Sequence, residues 1–379
     1  MGKCQSLKKR DEQQLMALTL FFIYQLLKGS RSKVNEYIMK CFFRQDVNFR
    51  KFRRRIISLF SISLLYVVEI GAVTVDYSVT SVPEETGLEL VKISQESDYV
   101  CMPSVSRQKN GVNWFTNRIL ALSPTGDDMA FLSARNNATN IFIKDVNKQG
   151  ASRQRTNRSS VIDFSYSPDG KKICFSESKG KTNQIFLTDA YNGYICRQIT
   201  QGAQDYSPIF DNEMKNILFV RLENKNAGVW GYDVNQNFLS SYTNGLGPVP
   251  SYEPNAVFVS RNSAEGRGEI WHINFDTGAE ECLLSDTQRS FHSPLLSPDK
   301  KKLLIVGSSK IENGDFVYWN TDIFTMNIDG TNLHQLTYHA ADDVSPIWSS
   351  DGKYVYFISQ RGSQDAVANI WRLTVPADL

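Results

Sequence analysis

The sequence predicts an all-β fold, a six-bladed β-propeller of four-stranded blades, from three observations. A turn of Ser-Pro-Asp-Gly type recurs, beginning at Ser123, Ser167, Asp211, Glu253, Ser297 and Ser349, so that successive starts lie 44, 44, 42, 44 and 52 residues apart. A second anchor, a β-branched residue followed by an aromatic, recurs at Ile141-Phe142, Ile185-Phe186, Val229-Trp230, Ile270-Trp271, Ile323-Phe324 and Ile370-Trp371, at spacings of 44, 44, 41, 53 and 47. A period of about 40–50 residues divided into short strands is that of a propeller blade. Third, the sixth repeat stops after its third strand near Val375, while residues 86–93 resemble residues 329–336, which end in a fourth strand. An N-terminal strand pairing in the last blade would close the ring and leave no open sheet edge.

Ahead of the repeats the chain reads differently. Residues 1–55 hold 14 Lys and Arg against 4 Asp and Glu, whereas residues 56–379 hold 28 against 36, so the near-neutral total conceals a basic leader and an acidic body. An acidic body argues against a nucleic-acid partner, because binding phosphate requires clustered cations on the folded domain itself. The cluster Lys51-Phe52-Arg53-Arg54-Arg55 is followed by an apolar run, and residues 56–75 carry one charge, Glu69. That is the pattern of a signal peptide, and the length also suits a retained membrane anchor. Met39 would be a more usual start for such a signal. The expected division is thus a basic leader at 1–55, a signal or anchor at 56–75, a linker at 76–87 and the propeller at 88–379. Hydrophobic residues at 41% and charged residues at 22% of the 379 are an ordinary globular mix.

Within a repeat the strands follow from alternation and turn chemistry, as in residues 173–176, 184–188 and 195–200, with Ser167-Pro168-Asp169-Gly170 and Asn192-Gly193 supplying the turns. The fifth repeat is longer by residues 310–320, which read as a long loop between its second and third strands, where function tends to reside. The six cysteines have no metal-type spacing. Cys174 and Cys196 would lie two strand spacings apart, about 9.6 Å, too far for a disulfide.

The units Asp343-Val344-Ser345-Pro346-Ile347-Trp348-Ser349-Ser350-Asp351-Gly352-Lys353 and Asp205-Tyr206-Ser207-Pro208-Ile209-Phe210 resemble the WD40-like repeats of the TolB-like propeller family. The resemblance covers about residues 88–375. It implies the fold strongly and the activity weakly, since such propellers serve binding, catalysis and scaffolding. The Tol-system protein itself carries an α/β domain before its propeller. Here only residues 73–86 separate leader and repeats, which implies another exported propeller of that superfamily. The same family resembles oligogalacturonate lyases, which hold a metal through histidines in the channel. The four histidines here, His272, His292, His334 and His339, fall at different repeat positions.

No Gly-x-Ser-x-Gly elbow, P-loop, dinucleotide or zinc-helix motif occurs. The innermost strand of each blade lines the central channel, making Arg118, Asp163, Tyr206 and His292 the ligand-binding candidates, with a divalent cation in the channel as the conceivable cofactor. Asp205 and Asp343 open an Asp-x-x-Pro motif and are expected to satisfy backbone N–H groups at a turn. The repeated aromatics are expected to be blade core. Trp114, Phe115, Tyr318 and Trp319 break the repeat and are candidates for a partner surface. The function expected is that of a non-catalytic, monomeric, exported or periplasmic module that binds an envelope protein or glycan and touches the membrane only through its N-terminal segment. The alternative is a metal-dependent channel enzyme such as an oligogalacturonate-lyase-like polysaccharide lyase.

Overall fold

A computed structural model describes residues 77–379, apart from 104, 109–110, 115–117, 149, 194–195, 225, 314–315, 364 and 377–378. Side chains at 105–108, 111–114, 312–313 and 316–317 are also outside the description. The expected leader and the signal or anchor at 56–75 lie outside the described residues.

Each repeat becomes an antiparallel meander. The first comprises β4 (Leu120–Leu122), β5 (Asp128–Arg135), β6 (Ala138–Asp145) and β7 (Arg153–Gln154), after a short β1 (Leu90–Lys92) and a hairpin of β2 (Val105–Gln108) and β3 (Gly111–Trp114). The second is β8 (Val161–Tyr166), β9 (Lys172–Lys179), β10 (Thr182–Asp189) and β11 (Cys196–Gln198). The third is β12 (Gln204–Phe210), β13 (Asn216–Glu223), β14 (Asn226–Asp233) and β15 (Phe238–Asn244), joined to the second at one parallel pair, Asn183 with Gln204. The fourth is β16 (Leu246–Pro250), β17 (Ala256–Asn262), β18 (Gly268–Asn274) and β19 (Glu280–Leu284), and the fifth is β20 (Arg289–Leu296), β21 (Lys302–Asn313), β22 (Phe316–Asn327) and β23 (His334–Gln335). The last sheet runs β1, β26 (Asn369–Thr374), β25 (Tyr354–Ser359), β24 (Asp343–Trp348), with Leu90 opposite Leu373 and Lys92 opposite Trp371. The fourth strand missing from the sixth repeat is therefore supplied from the N-terminal side, where the sequence places it.

The turns explain why Ser and Asp recur. Ser167 Oγ donates to Asp169 Oδ1 at 2.6 Å and accepts from Lys172 N at 2.9 Å, while Lys171 N donates to the same carboxylate. The arrangement repeats at Ser297 with Asp299 and at Ser349 with Asp351. The fourth turn residue must adopt a left-handed backbone. Gly170 and Gly352 do so freely at φ +70°, whereas Lys300 holds φ +61° with a side chain attached.

Two sequence expectations need correction. The inserted residues 310–313 and 316–320 are strand rather than loop: β21 and β22 pair continuously from Lys302–Asn327 to Asn313–Phe316. Asn313-Gly314 supplies a hairpin turn signal, and Phe316, Val317, Tyr318 and Trp319 are strong strand formers, so the added length extends the ladder. The repeated aromatics are also not uniformly core. Phe142, Phe186, Phe324 and Trp371 are buried, but Trp230 and Trp271 are half-buried. Arginines cover five of these rings, Arg135 over Phe142 at 3.9 Å, Arg158 over Phe186, Arg221 over Trp230, Arg261 over Trp271 and Arg289 over Phe324. A guanidinium on the ring face shields it while keeping its own charge partly solvated.

Candidate functional site

The first strand of each repeat positions the site. In β12, β20 and β24 a serine before proline, Ser207, Ser293 and Ser345, adopts φ of 51°, 54° and 52° and shifts the strand register. Such a bulge turns backbone groups out of the sheet. Ser207 N thereby reaches Asp163 Oδ2 in the preceding repeat at 2.9 Å, and Ser293 N reaches Ser260 Oγ at 3.1 Å.

The ligand-binding candidates separate on this geometry. Asp163 is fully buried, accepting from Ser176 Oγ and Ser207 N, and burial lifts its carboxyl to about 6 against those hydrogen bonds. His292 is buried, with Nε2 3.0 Å from Ser290 Oγ. A Cβ on Gly268 would stand 2.4 Å from its ring, so that glycine allows β18 to close over it. Tyr206 is half-buried and donates to Gln204 Oε1 at 3.3 Å, its hydroxyl pushed up by burial. Arg118 differs. It precedes β4 of the first repeat, yet Nη1 donates to Ser207 O at 3.2 Å and Nη2 to Pro248 O, carbonyls of the third and fourth repeats. Burial lowers it to about 10, partly offset by the Asp163 charge.

Arg118 lines a cavity of about 400 Å3 walled by the first strands of every repeat, including Leu122, Phe164, Ile209, Leu295 and Ile347. Asp163, Tyr206 and His292 are not among its lining residues. Arg118 is the charged residue of that lining, and the remaining side chains are apolar or small.

Residues 104–286 match the TolB β-propeller domain family. Over those residues the chain matches a TolB-like propeller. Among solved structures it is similar to a TolB-type protein of Agrobacterium tumefaciens, at 15% identity and a TM-score of 0.51 over 69% of this chain and 90% of that one. TolB of Acinetobacter baumannii gives 19% and 0.52, over 66% of this chain and 64% of that one. An oligogalacturonate lyase in complex with manganese gives 12% and 0.52, over 80% and 97%. At such identities the likeness shows the fold alone.

The Asp-x-x-Pro aspartates of this chain do not have the partners expected of them. Asp205 takes a bidentate ion pair from Arg221, at 2.7 and 3.0 Å, and Asp343 is held by Arg361. Among the described contacts neither accepts the turn N–H that its place in the motif suggested. Arg361 is fully buried and also binds Glu85 at 2.9 and 3.0 Å and Thr80 O at 3.2 Å. Asp322 lies beside this group, and burial together with the charge of Asp343 raises it to about 9. Sequence reasoning missed Glu85 and Arg361; the available signal was the arginine recurring at the end of second strands as Arg135, Arg221, Arg261 and, two residues beyond β25, Arg361.

Of the partner-surface candidates, Phe115 lies outside the described residues, and Trp114 falls on β3, which lies against β20 and β21. Tyr318 and Trp319 sit half-buried on β22, and Trp319 packs against the core shared by the first, second and last repeats. Of the other histidines, His272 is on β18, 2.8 Å from Ser251 Oγ, His334 is exposed on β23, and the buried His339 accepts from Ala341 N. Among the described residues no three His, Cys, Asp or Glu converge as a metal site.

Proposed function

We propose that the chain is a non-catalytic, exported TolB-like propeller acting as a protein-binding module of the bacterial cell envelope. Its meanders would form a ring of six blades, closed by β1 on β26. Closure is supported by contacts of β4 with β8, β12 with both β8 and β16, β16 with β20, β21 with β24, and β24 with β4. The observation that carries the functional reading is the engagement of the buried titratable groups. Among the described residues, Asp163, Asp205 and Asp343 each serve another part of the same fold rather than standing free for general acid, base or metal chemistry. Export is supported by the basic-apolar pattern at residues 51–75, and a protein partner by the half-buried Tyr318 on the lengthened fifth repeat. The lyase alternative rests on fold likeness alone. The test measures bound metal in the full-length protein, its melting temperature with and without chelator, and its action on oligogalacturonate. No stoichiometric metal, an unchanged melting temperature and intact oligogalacturonate are expected. A bound cation whose removal lowers the melting temperature, or cleavage of the sugar, would overturn the reading.

A further inference from the structure

We propose that the cavity under Arg118 is a binding site for an aliphatic monocarboxylate, an acyl chain entering carboxylate first. The argument starts from charge. Arg118 Nη1 and Nη2 each donate to a carbonyl, Ser207 O and Pro248 O, which leaves three of the five guanidinium N–H bonds for another acceptor. Among the described residues no carboxylate ion-pairs with it: Asp163, whose charge it feels, directs its oxygens to Ser176 and Ser207. An incompletely neutralised cation in a low-dielectric cup attracts an anion more strongly than the same cation in water. The two carbonyls fix the guanidinium plane, so its free edge is oriented before any ligand arrives.

The walls define the rest of the ligand. Leu120, Leu122, Ile209, Leu295, Ile347 and Trp348 surround the space, and Arg118 is the charged residue of the lining. Prolines 124, 294, 298 and 346 add surface without backbone donors. A peptide tail would have to bury amide groups against walls whose uncharged polar side chains are serines, at a cost of a few kcal/mol for each amide left unpaired. An alkyl chain has no such groups and gains with every methylene removed from water. At about 400 Å3 the space is within the range of small-molecule pockets.

The test is calorimetric titration of the full-length protein with decanoate, decanol and decyltrimethylammonium, and with Ala-Leu-Leu carrying a free C-terminal carboxylate. Decanoate is expected to bind one per chain, at least tenfold tighter than decanol, with the ammonium compound weaker still. Each methylene added between hexanoate and decanoate should tighten binding about fourfold. Arg118→Met should abolish the preference for decanoate over decanol. Should that variant fail to fold, the wild-type comparison alone decides. Equal binding of decanoate and decanol, more than one decanoate per chain, or no binding would overturn the proposal. Tighter binding of the peptide than of decanoate would overturn it in favour of a protein C-terminus. Chemical conversion of the decanoate would instead overturn the non-catalytic reading of the whole protein, so the two failures are distinguishable.

Discussion

At the scale of single residues, backbone conformation and burial set conditions that two substitutions can probe. Lys300 occupies a turn position where its repeat equivalents are Gly170 and Gly352, at φ +61°. Lys300→Gly should relieve about 1 kcal/mol of left-handed strain and raise the melting temperature by about 2 °C. An unchanged or lower melting temperature would show that the flexibility glycine adds to the unfolded chain cancels the gain. Asp322 is held near 9 by burial and by Asp343, Glu85 and Asp342, against the opposing charge of Arg361. Its folded value exceeds its unfolded one, so the folded state binds the extra proton, and this residue's contribution to stability declines as pH rises from about 4 to about 9. Asp322→Asn removes that dependence. The stability advantage of the variant should therefore grow between pH 5 and pH 8, as followed by urea denaturation at each pH. These conditions were illegible in the sequence, because neither φ nor the neighbours of a buried carboxyl leave a local mark; Ser-Pro-Asp-Gly was legible because its side chains bond within five residues.

At the scale of elements, the strands were legible and their attachments were not. Alternation and turn residues located the meanders, and the β1–β26 pairing followed from counting fourth strands. What holds β1 in place was invisible, since Glu85 and Arg361 stand 276 residues apart. Arg361 is the cation between Glu85 and Asp343, so Arg361→Met leaves two buried carboxylates without it. The expected cost is about 3–5 kcal/mol, measured by denaturant titration. Hydrogen exchange at Val91 and Lys92 should accelerate more than at Phe175 or Phe219, because the lost contact anchors β1 in particular. Uniform acceleration would mean that β1 is held by its ladder rather than by the ion pair. The β21–β22 hairpin differs from the loop expected of residues 310–320 for a local reason: the Asn313-Gly314 turn signal is followed by the strand formers Phe316 to Trp319.

At the scale of the whole molecule, the repeats make a fold whose neighbours touch through first strands and whose last sheet depends on its first. Deleting residues 77–93 removes β1 together with Glu85 and exposes the edge of β26. The truncated protein should self-associate through that edge, giving larger species in sedimentation velocity than the intact protein gives. A soluble truncated monomer would show that the charge of Arg372 on β26 protects the edge unaided. The aromatic repeat and the closing strand could be read from one dimension, whereas Arg118 could not, since its acceptors lie 89 and 130 residues downstream. The same separation has a consequence for biosynthesis. Glu89 and its partner Arg372 are 283 residues apart. At about 5–20 residues per second of translation, the first strand would wait roughly 14–57 s for its partner to be synthesised. During that interval Leu88 and Leu90 have no sheet to join, so a chaperone or the export apparatus holding this segment extended would keep the nascent chain from pairing it with the wrong repeat.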